Sequence, residues 1–278
     1  MSHESYDREE KMIDRYQDFY VPEKVIQPNS LLNCYGKNIF CISIFEAIGM
    51  FCFVMSIGWT SGYGLYIGLY FSLMLMVNVS GSHYNPNVTI AQFLCFKGDS
   101  ESLTKLLMYI IAQFVGTAGA IMLTYRLTNN TKIIAPVVYS DTGTMNALLQ
   151  EFFWGGLLIF TNLYVCHPKT SPSKYTWVNV AIFNSILFYD ITAIAHMTGA
   201  SLNPAIAITG NFIGLYIKGT HDFGSFGRSM WINSLGPFLG SLVFTYIFRH
   251  LCKKIYWAYR KSVLITCEAS YNMKIAIE

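Results

Sequence analysis

The sequence predicts an all-α membrane protein that crosses the bilayer six times and inserts two further short helices part of the way. Three observations predict this fold class: the composition, the lengths of the apolar segments, and an Asn-Pro pair that occurs twice in similar surroundings. Of the 278 residues, 53% are hydrophobic and only 13% are charged. An average soluble domain is about 25% charged, so we expect lipid to be the main solvent of this chain.

Six apolar segments are each long enough to cross a hydrocarbon layer of about 30 Å. They cover 38–59, 62–81, 103–125, 146–166, 175–195 and 230–250. Two further apolar segments, 86–96 and 204–217, begin at the proline of an Asn-Pro pair and are too short to span the bilayer. We expect both to be re-entrant half-helices, because broken helices are tolerated at membrane depth where protein or a cavity surrounds them.

The apolar segments define one membrane domain over 38–250, with repeat one at 38–125 and repeat two at 146–250. A polar N-terminal extension, 1–37, and a polar C-terminal tail, 251–278, flank this domain. With six spans, both termini lie on the same side of the membrane.

The basic residues predict which side that is. Of the 19 Lys and Arg residues, only Arg126, Lys132, Lys218 and Arg228 fall on the side opposite the termini. Since basic residues accumulate in cytoplasmic loops, both termini are expected on the cytoplasmic or matrix-equivalent side. Nothing in the sequence specifies which membrane this is.

The two halves of the domain repeat each other. The first segment contains "FEAIGM" and the fourth contains "QEFFWGG", which place one glutamate each, Glu46 and Glu151, in an apolar span. The third segment contains "AQFVGTAGA" and the sixth "GPFLGSLVF", with Gly116 and Gly240 at matching positions. Because each copy has three spans, an odd number, the second copy must be inverted relative to the first.

The Asn-Pro pairs lie in "GSHYNPNVTI" (81–90) and "GASLNPAIAI" (199–208). Asn caps a helix by accepting a backbone N–H of the first turn, and Pro suits the position that follows. We expect Asn85 and Asn203 to meet at the membrane midplane, with their amide N–H groups as donors. Both helix dipoles then point at one place, which orients neutral acceptors and repels cations. The alternative is an ordinary turn at each pair.

Together these motifs resemble the major intrinsic protein family, the aquaporins and aquaglyceroporins, over about 38–250. The resemblance implies six tilted helices and two half-helices around one pore per protomer, usually in a homotetramer. It implies that Glu46 and Glu151 accept hydrogen bonds from the re-entrant loops, the alternative being a proton relay. It also implies that Gly116 and Gly240 are small so that helices can cross closely.

The chain departs from the family pattern at the motifs themselves. The second motif contains the usual Pro204 and Ala205, but in the first Pro86 is followed by Asn87, where the family has alanine. A larger polar side chain must find a partner there or displace a neighbour. Ile206 occupies the position of the arginine that serves the family as a cationic donor in the selectivity filter.

The other filter positions, carried over by their distance from the motifs, are Leu65, Ile191 and Ala200. With Ile206 they make an entirely apolar ring. An unpaired hydroxyl in apolar surroundings costs ~2–7 kcal/mol, and apolar constrictions close by dewetting. The ring is therefore either closed to water or, if Ala200 widens it, open to larger and less polar solutes.

His83, two residues before Asn85, is expected to line the cytoplasmic vestibule. Asp190, beside Ile191, either pairs with a neighbouring helix or subunit or forms a cation-attracting mouth. No histidine or cysteine pair has the spacing of metal ligands, and no catalytic constellation stands out. We therefore expect no metal, no cofactor and no enzymatic activity. The net charge of +3 without a basic patch argues against nucleic acid as a partner.

Two functions remain open. The first is a passive channel for water or small uncharged solutes, with an atypical filter and reduced permeability. The second is a transport-silent protein of the same fold that serves as a structural subunit of a larger membrane complex. The complete repeat favours the first, whereas the missing arginine and Asn87 favour the second.

Overall fold

The computed structural model describes residues 39–96, 101–168, 170–218 and 223–277, and this part of the chain contains eight α-helices and no strand. In chain order they are α1 (Ile39–Trp59), α2 (Gly62–Met76), α3 (Pro86–Cys95), α4 (Glu101–Leu127), α5 (Thr144–Cys166), α6 (Thr176–Thr198), α7 (Pro204–Lys218) and α8 (Phe223–Ile277). The predicted N-terminal extension, 1–37, lies outside the described residues.

The helices pack as two equivalent sets. In the first half α1 packs against α4 and α2, and in the second half α5 packs against α8 and α6. The short helices α3 and α7 lie between the halves, since α3 contacts α5 and α8 while α7 contacts α4 and α8. This arrangement confirms the predicted fold class, an all-helical membrane protein with an aquaporin-like fold.

Two of the predicted spans have different bounds in the structure. Five described helices are long and apolar enough to cross a membrane, whereas α2 has 15 residues, or about 22 Å at 1.5 Å per residue. It ends at Met76 because the chain turns over 77–80 towards a loop that Gly81 begins with φ 86°. Helix α8 has 55 residues and continues past residue 250, where the polar tail was predicted to begin.

Large apolar side chains cover much of the outer surface. Phe71 on α2, Val115 on α4 and Phe212 on α7 are 67%, 61% and 64% exposed. Exposing an apolar surface of this extent to water costs free energy, whereas exposing it to a hydrocarbon layer does not. The exposed side chains therefore mark the surface that faces lipid.

Two glycines mark the closest helix crossings. A Cβ atom on Gly116 would overlap the backbone carbonyl of Ala47 on α1, and one on Gly240 would overlap that of Phe152 on α5. The α1–α4 and α5–α8 pairs can approach this closely only because both positions lack a side chain. The two crossings are equivalent by the inverted repeat.

Candidate functional site

Each half-helix begins at a capping asparagine followed by proline. Asn85 has extended backbone angles, and its side-chain oxygen accepts the backbone N–H of Asn87 at 2.9 Å. Asn203 accepts the N–H of Ala205 at 3.0 Å in the same way. Since Pro86 and Pro204 occupy the first helical positions, their missing N–H groups leave no donor unpaired.

The two capping asparagines reach across to each other's loop. The side-chain amide of Asn85 donates to the carbonyl of Leu202 at 2.8 Å, and that of Asn203 donates to the carbonyl of Tyr84 at 2.7 Å. These crossed bonds hold the starts of α3 and α7 together. A primary amide has two N–H donors, and no described protein group accepts the second N–H of either residue.

The loops before the half-helices have strained backbones. Ser82 and Tyr84 have φ values of 50° and 46°, and Ala200 and Leu202 have 48° and 52°. Left-handed angles are unfavourable for residues with a side chain. Such a conformation persists only where surrounding contacts fix it, and two buried glutamates supply those contacts.

Glu46 of α1 holds the first loop. Its carboxyl oxygens accept the backbone N–H of Tyr84 at 2.6 Å, the hydroxyl of Ser80 at 2.6 Å and the amide of Gln113 at 2.9 Å. The amide of Gln113 also donates to the hydroxyl of Thr89 on α3. The loop is therefore tied to α1, to α4 and to the half-helix that follows it.

Glu151 of α5 holds the second loop by an equivalent set of bonds. It accepts the backbone N–H of Ser201 at 3.0 Å, that of Leu202 at 2.9 Å and the hydroxyl of Thr198 at 2.7 Å. Every one of these partners donates, so both oxygens act as acceptors.

A cavity of about 240 Å³ opens beside the crossed asparagines. Asn85 and Asn203 both line it, and most of the remaining wall is apolar, including Phe53, Phe183 and Leu187. The cavity therefore offers amide donors at one place within a largely apolar surface.

The structure brings three of the four predicted filter residues to this cavity. Ile191, Ala200 and Ile206 line it, so the wall at these positions supplies no charged side chain. The side chain of Ile206 is buried.

Leu65 is the exception. It does not line the cavity but packs against the hydrophobic core from the first turn of α2. The α2 residue that lines the cavity is Leu73, eight residues or about 12 Å further along the helix axis. Leu65 therefore stays a prediction as a filter residue.

A segment that sequence analysis treated as an ordinary connection also lines the cavity. Residues 132–136, between α4 and α5, contribute to the wall. Ile134 is buried and lies so close to Gly58 of α1 that a Cβ atom there would overlap its side chain. The sequence carried a signal for this contact, because "IIAPVV" (133–138) is an apolar run between two polar stretches.

His83 lines the cavity, and its predicted place in the cytoplasmic vestibule stays a prediction. Its Nδ1 atom lies 3.2 Å from the hydroxyl of Thr89, and its ring packs against Tyr109 with centroids 5.0 Å apart. Among the described residues no group of three His, Cys, Asp or Glu side chains could hold a metal ion.

Three buried polar side chains, those of Asn87, Asp190 and Thr245, have no hydrogen-bond partner in the described part of the chain. Both amide atoms of Asn87 and both carboxyl oxygens of Asp190 are unpaired. Asp190 is 0% exposed and does not line the cavity. A carboxyl group buried at this depth cannot form the cation-attracting mouth that was one of its two predicted roles.

The fold and this site define a class of protein before any comparison. It is an integral membrane protein in which two inverted repeats bring two half-helices, capped by asparagine, to one central cavity.

Comparison with known proteins places the chain within that class. The sequence pattern of the family described as major intrinsic protein matches residues 38–248. Since this match covers most of the chain, the protein belongs to the major intrinsic protein family.

Relatives are found in fungi, plants and archaea. Aquaporin-2 of Botryotinia fuckeliana is 32% identical over 185 residues, which cover 64% of this chain but only 45% of the relative. Probable aquaporin TIP1-2 of Oryza sativa subsp. japonica is 26% identical over 66% of this chain and 67% of its own length. Aquaporin AqpM of Methanothermobacter thermautotrophicus is 27% identical over 72% of this chain and 82% of its own length.

A solved structure with the same fold is the aquaglyceroporin from Plasmodium falciparum. It superimposes with a TM-score of 0.65 at 20% identity, covering 76% of this chain and 96% of its own. At this identity the likeness concerns the fold alone.

Proposed function

We propose that this protein is a passive membrane channel for water or small uncharged solutes, with an apolar filter that lowers its permeability to water. The observation that carries this proposal is the pair of crossed amides of Asn85 and Asn203 on the wall of the cavity. Family membership supports it as well, since the relatives described above are named as aquaporins.

The amides suit a neutral solute that accepts hydrogen bonds. Each asparagine donates one side-chain N–H to a carbonyl of the opposite loop. Its second N–H can donate to a solute, and this bond replaces one that the solute loses when it leaves water. The positive ends of the α3 and α7 dipoles lie at the same place and disfavour cations. Water and small polyols fit this description.

The apolar wall accounts for the reduced permeability to water. Ile191, Ala200 and Ile206 line the cavity, and none of their side chains can donate a hydrogen bond. An unpaired hydroxyl costs ~2–7 kcal/mol in apolar surroundings, and each 1.4 kcal/mol added to the barrier slows passage about tenfold. A solute with more carbon atoms per hydroxyl therefore has a smaller desolvation cost at this ring.

Stopped-flow swelling of proteoliposomes tests the proposal, with water and then glycerol as the permeant. We expect the permeability to water and the permeability to glycerol to exceed those of protein-free vesicles. The increase should be larger for glycerol than for water. Folded, reconstituted protein that permits neither would refute a channel function.

The variant Ile206→Arg tests the role of the ring. A charged donor contributes about 1.5–3 kcal/mol, so water flux should rise roughly ten- to a hundredfold. Ile206→Leu is the matched control, because it keeps the position apolar and should leave the flux unchanged. Equal fluxes for the arginine and leucine variants would contradict a barrier at this ring.

A second candidate is a transport-silent structural subunit of a larger membrane complex. Ile134 is buried in the cavity wall, where it narrows the path, and Asn87, which does not line the cavity, is buried without a hydrogen-bond partner among the described residues. Purification in a mild detergent separates the two functions. Foreign subunits that co-purify in fixed proportion would support the structural role, and a homotetramer alone would oppose it.

The assembly and orientation complete the proposal. A homotetramer with one pore per protomer and both termini on the cytoplasmic or matrix-equivalent side agrees with the family and with the distribution of basic residues. Native mass spectrometry tests the first point. Protease access to terminal tags in sealed vesicles tests the second.

A further inference from the structure

One charged side chain lies at the opening of the cavity. Among the described residues that line the cavity, Lys132 is the only one with a permanent charge and the only one whose side chain is exposed. All the others are buried or half-buried. The cavity therefore meets solvent at Lys132, on the side that the basic-residue distribution assigns to the outer face.

The backbone around Lys132 is held in place on both sides. Its N–H donates to the hydroxyl of Thr128 at 3.1 Å. Four residues further on, the carbonyl of Pro136 accepts the amides of Asn211 at 3.0 Å and Asn233 at 3.2 Å. These contacts fix the backbone of the segment beside the cavity, and Lys132 is exposed at its start.

The charge of this ammonium group is not neutralised by a carboxylate within the described ranges. No ion pair joins Lys132 to an acidic side chain in that part of the chain, and the cavity wall next to it is formed by Ile133 and Ile134. Apolar walls of low dielectric focus the field of a charge into a cleft. The field at the opening is therefore positive and little screened from within the protein.

We propose that Lys132 is a specificity-determining residue of this pore. Its ammonium group excludes small cations at the opening and draws in solutes that lead with a hydrogen-bond acceptor oxygen. It thereby supplies, from the loop between the repeats, a positive charge that Ile206 does not supply from α7. This role in solute selection rests on the proposed channel function. The experiment that tests it measures the electrostatic potential at the opening and does not require transport.

The test measures the local potential with charged thiol reagents. A cysteine placed at Ile133, beside Lys132 on the cavity wall, reacts with an anionic and with a cationic methanethiosulfonate, and mass spectrometry of that peptide excludes the native cysteines. At low ionic strength, where salt screens little, a unit charge about 10 Å away in water changes the ratio of the anionic to the cationic reaction rate by up to about fourfold. In the Ile133→Cys protein, the further substitution Lys132→Gln should lower the ratio of anionic to cationic reaction rates by this factor. Lys132→Glu should lower the same ratio by about 16-fold.

Lys218 offers a matched control. It is exposed at the end of α7, on the same face of the protein, and does not line the cavity. Lys218→Gln should leave the ratio unchanged, and Lys132→Arg should preserve it. In 1 M salt, where the Debye length falls to about 3 Å, the difference between Lys132→Gln and its parent should vanish.

The outcomes decide the proposal without reference to transport. A ratio that is the same with lysine, glutamine and glutamate at position 132 would overturn it, as would an equal shift caused by Lys218→Gln. A ratio that shifts as expected in a protein that conducts neither water nor glycerol would uphold the electrostatic role of Lys132 and refute the channel function instead.

Discussion

Replacing Glu151 by glutamine should loosen the second re-entrant loop. The carboxyl group accepts three hydrogen bonds, one from a hydroxyl and two from backbone N–H groups. Glutamine has the same shape but only one acceptor oxygen. That oxygen can keep the bonds from Thr198 and Ser201, but the new NH₂ group then faces the N–H of Leu202, and two donors oppose each other.

The cost can be worked from these contacts. A buried N–H without a partner costs about 1–3 kcal/mol. The two remaining bonds lose their charge-assisted character, which is about half of their strength. Together these effects should destabilise the protein by roughly 3 kcal/mol. Because the same loop carries Ala200, which lines the cavity, solute flux should change in parallel.

Thermal unfolding in detergent micelles, followed by tryptophan fluorescence, measures this loss. Glu46→Gln is the equivalent change in the first repeat and should cost less, because the Ser80 hydroxyl that faces the second oxygen of Glu46 can accept a hydrogen bond from the new NH₂ group. Asp141→Asn removes an exposed carboxylate between α4 and α5 and should have little effect. If Glu151→Gln unfolds at the wild-type temperature, the carboxyl group does not hold the loop.

Two further predictions concern packing. Gly116→Ala places a methyl group against the carbonyl of Ala47 and should reduce the yield of folded protein, whereas Gly119→Ala on the same helix meets only an ordinary contact. Equal yields in size-exclusion chromatography would contradict a close crossing at Gly116. Ile134→Ala removes an apolar side chain from the cavity wall and should raise glycerol flux in the swelling assay. An unchanged flux would place the constriction elsewhere.

The sequence predicted the helices and half-helices well because lipid imposes strong constraints on it. An apolar run of about 20 residues has the length that a membrane crossing requires, and the Asn-Pro pairs mark helix starts by their capping chemistry. Both half-helices begin at the predicted residues, Pro86 and Pro204. The inverted repeat then determined which elements correspond.

The sequence did not predict the features that depend on tertiary contacts. The early end of α2 follows from the path of the loop into α3, which hydropathy does not report. The role of 132–136 was missed for another reason. A connection between repeats is expected to be a surface loop, and only its contacts with α1 and α7 show that it lines the cavity.

The unpaired side chains of Asn87 and Asp190 could be singled out from the sequence, but their surroundings could not. Both are polar residues in apolar stretches, which makes them conspicuous. Whether such a residue reaches a cavity depends on the direction of its side chain, and α6 turns Ile191 rather than Asp190 towards the opening.

The central claim is that two half-helices from opposite repeats meet through their capping asparagines. A cryo-EM structure of the protein in lipid nanodiscs tests it most directly. The amide of Asn85 should lie within hydrogen-bond distance of the carbonyl of Leu202, near 2.8 Å, and the amide of Asn203 near 2.7 Å from that of Tyr84. A map in which either amide lies far from the opposite loop, or in which α3 or α7 crosses the whole bilayer, would contradict the account.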